Sequence, residues 1–418
     1  MRKELITNGQ KEENCVNENK KRSEETKTRF KEKETQKAPW CVGQIGVRVD
    51  RLTVSASILR HPNRVRKRVQ LRRAKCLFVY WGEGRLFFHN FAKRLTVSGR
   101  PIIWEVLSFF SKWQTSQDAV IHFAGYTQKS VLSTLSQFVK HGLLVFKGSP
   151  EAKQDSCLAK EWSPWLPEAS FHFSTKDTAF IGGNLSLAQW KAILPKTPAP
   201  KIFKAVKGPT KKLPPVPAFP DSEFVRVLKT RRTHREFSKQ EVTLEAISQV
   251  LSLVWGVTGY FYTSVFGKLL QKTSPSGGAR HPGEVYVMSL SVKGLKPGLY
   301  HYHPAHHYLK MVSSNATRRK AYLYCVRQNH ARKAAALFLM TAVFPRTMWK
   351  YQVPRAYRAV LLDAGHLCQT FCLVATWLDL APFCTAAIKD TLIEKDLGID
   401  GIRESIIYVA GIGCPMIS

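Results

Sequence analysis

Lys350 and Tyr351 stand side by side in the segment Trp349-Lys350-Tyr351, shortly before Arg355, Tyr357 and Arg358. An ammonium next to a phenol favours the phenolate, and a phenolate in a pocket is a base able to take a proton from carbon. Such pairs also occur on ordinary surfaces. A second constellation is Arg231, Arg232, Thr233, His234, Arg235, Glu236, Phe237, directly after an amphipathic run. Guanidinium groups make bidentate charge-assisted hydrogen bonds and threonine adds a short donor, which suits a phosphate; a solvated basic turn has the same composition. The third is Ser274, Pro275, Ser276, Gly277, Gly278, Ala279, Arg280, His281, Pro282. Its adjacent glycines let backbone N–H groups approach a flat or anionic ligand closely.

Metal chemistry is not expected. His301, His303, His306 and His307 alternate along or just after a strand without a fourth-ligand pattern, and His366 reads as a satisfied histidine on a buried apolar helix. The nine cysteines (Cys15, Cys41, Cys76, Cys157, Cys325, Cys368, Cys372, Cys384, Cys414) include no C-x-x-C pair and are odd in number, so free thiols are expected.

The elements that must position these groups follow from periodicity. Leu77–Tyr80 and Arg85–His89 read as strands, and apolar residues recur at helical spacing over Ile102–Trp113 and Val131–Val139. Gly142 is placed to stop the second helix, and Leu143–Phe146 follows as a strand; helix, glycine and strand resemble a winged-helix element. Eight prolines between 195 and 220 mark a linker. Beyond it the pattern predicts helices at Phe224–Lys229 and at Leu244–Trp255, the latter ended by Gly256. Strands follow at Glu284–Leu290, Leu299–Tyr302, Ala335–Phe344 and Ser405–Ala410. The apolar stretch Ala359–Cys384 is interrupted by Asp363, His366, Gln369 and Asp379, which predicts one buried helix and no membrane span. Helices with hairpin-connected strands indicate an α+β fold.

Composition excludes collagen, coiled coil and wholesale disorder: 418 residues, 44% hydrophobic and 22% charged. Only the net charge of +34 is unusual, and it favours anionic partners. Residues 1–75 hold 21 basic and 9 acidic residues, so the excess runs along the whole chain as a compositional habit. The expected organisation is a basic, disordered tail over 1–76, a winged-helix-like module over 77–194, the linker at 195–220 and an α+β domain over 221–418. The arginine-rich run from Arg60 to Lys75 is expected to be solvated. The first thirty residues lack an apolar segment, which predicts a cytoplasmic protein.

Taken together, KTRRTHREF, SPSGGARHPGEVYV, GLYHYHPAHHYL, WKYQVPRAYRAVLLDAGHLCQ and VAGIGCP resemble the SagB-type dehydrogenases. These are FMN-dependent members of the nitroreductase superfamily that include the azoline oxidases of thiazole- and oxazole-containing peptide biosynthesis. The resemblance covers about residues 77 to 418. It implies a nitroreductase-like FMN-binding domain, a mixed sheet flanked by helices, and a homodimer with FMN at the subunit interface.

Site residues follow by position. Arg231 and Thr233 match phosphate-binding positions, Arg232 is their neighbour, and Arg235 matches the basic residue near the flavin pyrimidine, where positive charge stabilises reduced flavin. Pro275, Ser276, Gly277 and Gly278 match the loop that lies on the flavin from the partner subunit. Ala386 and Ala387 match positions that offer backbone N–H groups. Lys350 and Tyr351 match the pair that azoline oxidases use, with Tyr351 taking the proton and Lys350 favouring its phenolate. The N-terminal module, including EWSPWLPEASFHF, is expected to hold a peptide substrate, and a cyclodehydratase partner is implied where the substrate is an azoline. Where many relatives carry Gly-Arg-Pro, this chain has Gly413, Cys414, Pro415, so Arg231 is expected to compensate for a missing phosphate contact. Two other readings are a flavin-dependent NAD(P)H reductase of small molecules and a winged-helix nucleic-acid-binding regulator, although nucleic acid is not the expected partner.

Overall fold

The computed structural model describes residues 47–48, 69–82, 84–99, 101–178, 202, 211, 213–215 and 222–416. The expected tail up to residue 68, apart from 47–48, and most of the expected linker lie outside them.

Ordered structure begins before the expected boundary at residue 77. Gln70–Arg73 forms a strand between Gln114–Thr115 and Leu144–Phe146, antiparallel to both. Leu71 and Cys76 are fully buried, and Arg72 is buried too. This corrects the solvated reading of the arginine run at that residue. Arg72 pairs with Asp155 at 2.8 Å and donates to Ser156 Oγ at 2.8 Å, so a carboxylate 83 residues away neutralises it.

A meander of Leu77–Gly82, Arg85–Asn90 and Leu95–Gly99 follows. The helix Gln128–Lys140 starts at Thr127, whose hydroxyl accepts from the Ser130 N–H, and buries Val131, Leu135, Phe138 and Val139 along one face. Gly142, with φ of 71°, ends it, and the strand Leu144–Phe146 comes next in the expected order.

Downstream, α1 (Glu223–Thr230) and α2 (Leu244–Trp255) precede a six-stranded sheet built from β1 (Gly283–Ser289), β2 (Gly298–His303), β3 (Tyr308–Ser313), β4 (Ala336–Val343), β5 (Ala381–Thr385) and β6 (Glu404–Gly413). The long helix α3 (Ala356–Trp377) lies between β4 and β5 in sequence. The strand order is β3-β2-β1-β4-β6-β5, with every neighbouring pair antiparallel. Among the described residues, the parallel pairing expected of a mixed sheet is confined to two short ladders, Val47–Arg48 with Val97–Ser98 and Val292–Lys293 with Val242–Thr243. The fold is α+β, as the alternation of helical and strand patterns implied.

Both faces of the sheet are covered, which is why β4 reads as an apolar run broken only by Thr341. Val285, Val287, Phe338 and Met340 point into one core with α2 and α3; Tyr286, Met288, Leu337 and Leu339 point into the other. A third core joins the N-terminal module to this domain through Cys76, Phe91, Trp162, Trp165, Phe344 and Tyr357.

The stretch Ala359–Cys384 is not one helix. α3 ends at Trp377, Asp379 turns the chain with φ of 54°, and Ala381–Thr385 returns as edge strand β5. Pro382 lacks the N–H a helix needs and is tolerated at a sheet edge. Nor is α3 buried all round. Tyr357, Val360, Asp363, Leu367, Cys368, Phe371, Cys372 and Ala375 face the core, while Arg358, Leu361, Leu362, Gly365, His366 and Gln369 are exposed. His366 is therefore a surface residue and not the expected core histidine. By length and composition α3 is long and apolar enough to cross a membrane, but its inner face belongs to the core.

Candidate functional site

The loop before β1 and the segment before α3 meet. Gly278 has φ of 63°, a conformation that favours glycine, and a Cβ there would clash with Tyr351 Oη and lie 2.9 Å from Lys350 Nζ. Lys350 Nζ donates to the Gly278 carbonyl at 3.4 Å. It also lies 4.0 Å from the ring centroid of Phe266 and 5.3 Å from that of Tyr351. An amine and a phenol thus converge on a backbone that only glycine leaves open.

Asp363 on α3 holds the loop. Its carboxylate accepts from Ser276 Oγ at 2.5 Å and from the Gly277 N–H at 3.2 Å, and Ser276 Oγ accepts from the His281 N–H at 2.8 Å. Burial pushes the Asp363 carboxyl up from its ordinary range, against those hydrogen bonds. Gly277 packs close to Ala359 of α3, where an added Cβ would meet the alanine Cβ at 3.2 Å. Lys272, Pro275, Ser276, His281 and Asp363 line a small cavity behind the loop. Burial pushes His281 down to about 4, so its ring is neutral near pH 7.

Tyr351 is also held from the N-terminal module. The Trp165 indole N–H donates to the Tyr351 carbonyl at 2.9 Å, and Trp162 donates to the Ile402 carbonyl at 2.9 Å. Both indoles are fully buried, with His172 and Phe173 beside them. Trp162, Trp165, His172 and Phe173 of the EWSPWLPEASFHF segment therefore pack inward and brace the Lys-Tyr segment, while Phe171 of the same segment is exposed.

The arginine loop forms a separate cluster. Arg231 leaves the end of α1, and Arg232 Nη1 turns back to the carbonyls of Lys229 and Arg231 at 2.8 Å, the electronegative end of that helix. The loop continues along β5, where His234 N–H donates to the Pro382 carbonyl at 2.9 Å. Arg232, Thr233 and Arg235 are exposed, and Arg231 is half-buried. Ala386 and Ala387 follow the end of β5, and the Ala387 N–H donates to Thr385 Oγ1 at 3.1 Å. Cys414 closes the same region, its carbonyl accepting from Ser238 at 3.0 Å.

The glycine loop contacts α3 at Ala359 and Asp363, in the first half of the helix, while the Arg231 guanidinium favours the thiolates of Cys372, in its second half, and of Cys384 on β5.

The Nitroreductase family profile matches residues 228–414. The protein MJ1384 of Methanocaldococcus jannaschii, which carries a nitroreductase name, is 31% identical over 186 residues, covering 43% of this chain and 88% of that one. The chain belongs to the nitroreductase family. It is an oxidoreductase of that family, and both halves of the site lie within the matched residues. The trifolitoxin-processing protein TfxB of Rhizobium leguminosarum bv. trifolii is 26% identical over 324 residues, covering 74% of this chain and 86% of that one. A chain from the E. coli microcin synthetase McbBCD complex with truncated pro-MccB17 bound is 19% identical, covering 61% of this chain and 94% of that one with a TM-score of 0.44.

Trp165, Asp363 and Phe266 were not expected as parts of the site. Asp363 carried a signal, being a carboxylate inside an apolar helical run; the other two are visible only in three dimensions.

Proposed function

We propose that this protein is an FMN-dependent oxidase of the SagB type that acts as a homodimer and converts azoline rings in peptides to azoles. The observation that carries the reading is the convergence of Lys350 and Tyr351 on Gly278 in a member of the nitroreductase family. A second support is length. The 324 residues aligned with the trifolitoxin-processing protein exceed the 187 of the family match, so that likeness takes in N-terminal module sequence as well.

The residues present fit FMN when two copies combine. The exposed Arg231–Arg235 loop suits a phosphate and an electron-rich ring edge, and Gly277–Gly278 gives a flat ring system room that a side chain would fill. The exposed α3 face, with Leu361, Leu362 and Gly365, offers a small-residue and apolar surface for the second copy. Bound FMN supplies hydride acceptance and regeneration by dioxygen. Tyr351 takes the proton from the ring carbon, and Lys350, fixed by the Gly278 carbonyl and the Phe266 ring, stabilises negative charge at the phenol oxygen. Trp165 fixes the backbone of Tyr351.

The test is visible absorbance of the purified full chain, followed by anaerobic addition of a thiazoline-containing peptide. Bleaching by the peptide in wild type but not in Tyr351→Phe or Lys350→Ala, with flavin retained in both, is the expected result. A colourless protein that added FMN cannot reconstitute rejects the reading. Bleaching by NAD(P)H and not by the peptide would favour small-molecule reduction instead, a reading supported by the likeness to the nitroreductase-named M. jannaschii protein.

A further inference from the structure

Cys368 and Cys372 lie one turn apart on the inner face of α3, and the Asp379 turn brings Cys384 of β5 back against them. Their three Sγ atoms all lie within 4.8 Å of one another. Cys368 and Cys372 are buried in the core between α3 and the sheet, and Cys384 is half-buried at its margin. No residue of the proposed flavin site contributes a ligand atom here.

We propose that Cys368, Cys372 and Cys384 form a binding site for one thiophilic divalent cation of the zinc class. Three sulfurs bound at about 2.3 Å to one ion stand about 4 Å apart, whether the geometry is tetrahedral or trigonal. Sulfur atoms gathered within 4.8 Å of one another are close to such a coordination triangle. Charge also matches. Three thiolates and a divalent ion leave one net negative charge, and the Arg231 guanidinium acts on both Cys372 and Cys384. The Tyr408 hydroxyl donates to Cys384 Sγ at 3.3 Å, an outer contact that fixes one ligand. Among the described residues no His, Asp or Glu joins the group, so the set is all sulfur, which selects soft cations over magnesium or calcium. Each thiol that enters the site loses its proton to solvent as its metal–sulfur bond forms. Binding would tie α3 to β5 beside the arginine loop.

The test uses the full chain, purified under reducing, oxygen-free conditions and titrated with cadmium as a spectroscopic probe for zinc. A thiolate-to-cadmium charge-transfer band saturating at one ion per chain is expected, with zinc competing it away. Cys368→Ser, Cys372→Ser and Cys384→Ser should each weaken binding at least tenfold, while Cys157→Ser, outside the cluster, leaves it unchanged. Wild type alone keeps the proposal falsifiable if a variant does not fold: no band, or a band that zinc does not remove, overturns it. A band that persists in a folded Cys384→Ser protein also overturns it. So does a disulfide among the three cysteines as the stable form of the reduced-and-desalted protein. Because flavin absorbance is recorded in the same samples, loss of the metal site and failure of the flavin reading are distinguishable.

Discussion

Trp165, in the N-terminal module, donates its indole N–H to the backbone carbonyl of Tyr351, 186 residues later, at 2.9 Å. The contact lies in a continuous core shared by module and domain, so folding of the first part is tied to the placement of the Lys-Tyr pair in the second. Replacing Trp165 by Phe keeps most of the apolar contact and removes the donor. Leaving the carbonyl unpaired is expected to cost about 1–3 kcal/mol. The expected outcome is a lower melting temperature and turnover reduced more than flavin content, measured by calorimetry and by flavin absorbance on the same preparation.

Gly278→Ala places a methyl group against Tyr351 Oη and Lys350 Nζ at a backbone position with φ of 63°. The conformation itself costs about 1–2 kcal/mol for a side-chain-bearing residue. Oxidation of the peptide is expected to fall by at least a hundredfold with the chain still folded, as steady-state kinetics alongside circular dichroism would show. Unaltered kinetics would mean that the pair does not act where it lies.

Arg231→Ala and Arg235→Ala each remove a guanidinium from the exposed loop. A charge-assisted hydrogen bond is worth about 1.5–3 kcal/mol, so each variant is expected to bind FMN about tenfold or more weakly. Fluorescence titration of the apoprotein with FMN checks this. Arg231 should show the larger effect, because the closing Gly413-Cys414-Pro415 offers no guanidinium.

Asp155→Ala leaves the buried Arg72 guanidinium without its carboxylate and frees the Lys75 and Cys76 N–H groups that Asp155 accepts from. Breaking a buried pair this way costs about 3–5 kcal/mol. Denaturant unfolding should show a loss of that size. The double variant Arg72→Met/Asp155→Leu should recover part of it.

Acid should destabilise the protein earlier than carboxylate titration alone requires. Burial holds His172 well below its ordinary 6.5, with Lys176 adding to the effect, and His89 and His281 are lowered by burial too. Between the folded values and 6.5 the unfolded chain binds protons that the folded chain does not, so stability is fully present above 6.5 and declines as pH falls below it. Unfolding midpoints recorded through that window should drop, and His172→Gln should flatten the slope.

Local order was legible in the chain. The helices α1 and α2 and the strands β1, β2, β4 and β6 fall where apolar periodicity put them, and Gly142 ends its helix as its position implied, because these depend on neighbours a few residues apart. The residue types of the site were legible as well: the Arg231–Arg235 loop, Pro275–Gly278 and Lys350–Tyr351 carry their chemistry in their side chains. What folding in space decided was which groups meet. Apolar residues on both sides of Asp379 hid the turn there, since those of β5 continue the pattern of α3, and so hid that Cys384 returns to Cys368 and Cys372. Burial of Arg72 depended on Asp155, and the bracing of Tyr351 on Trp165, partners far away in sequence. His366 is exposed because α3 shows the core only one face, a matter of helix orientation that hydropathy averaged along the chain does not carry.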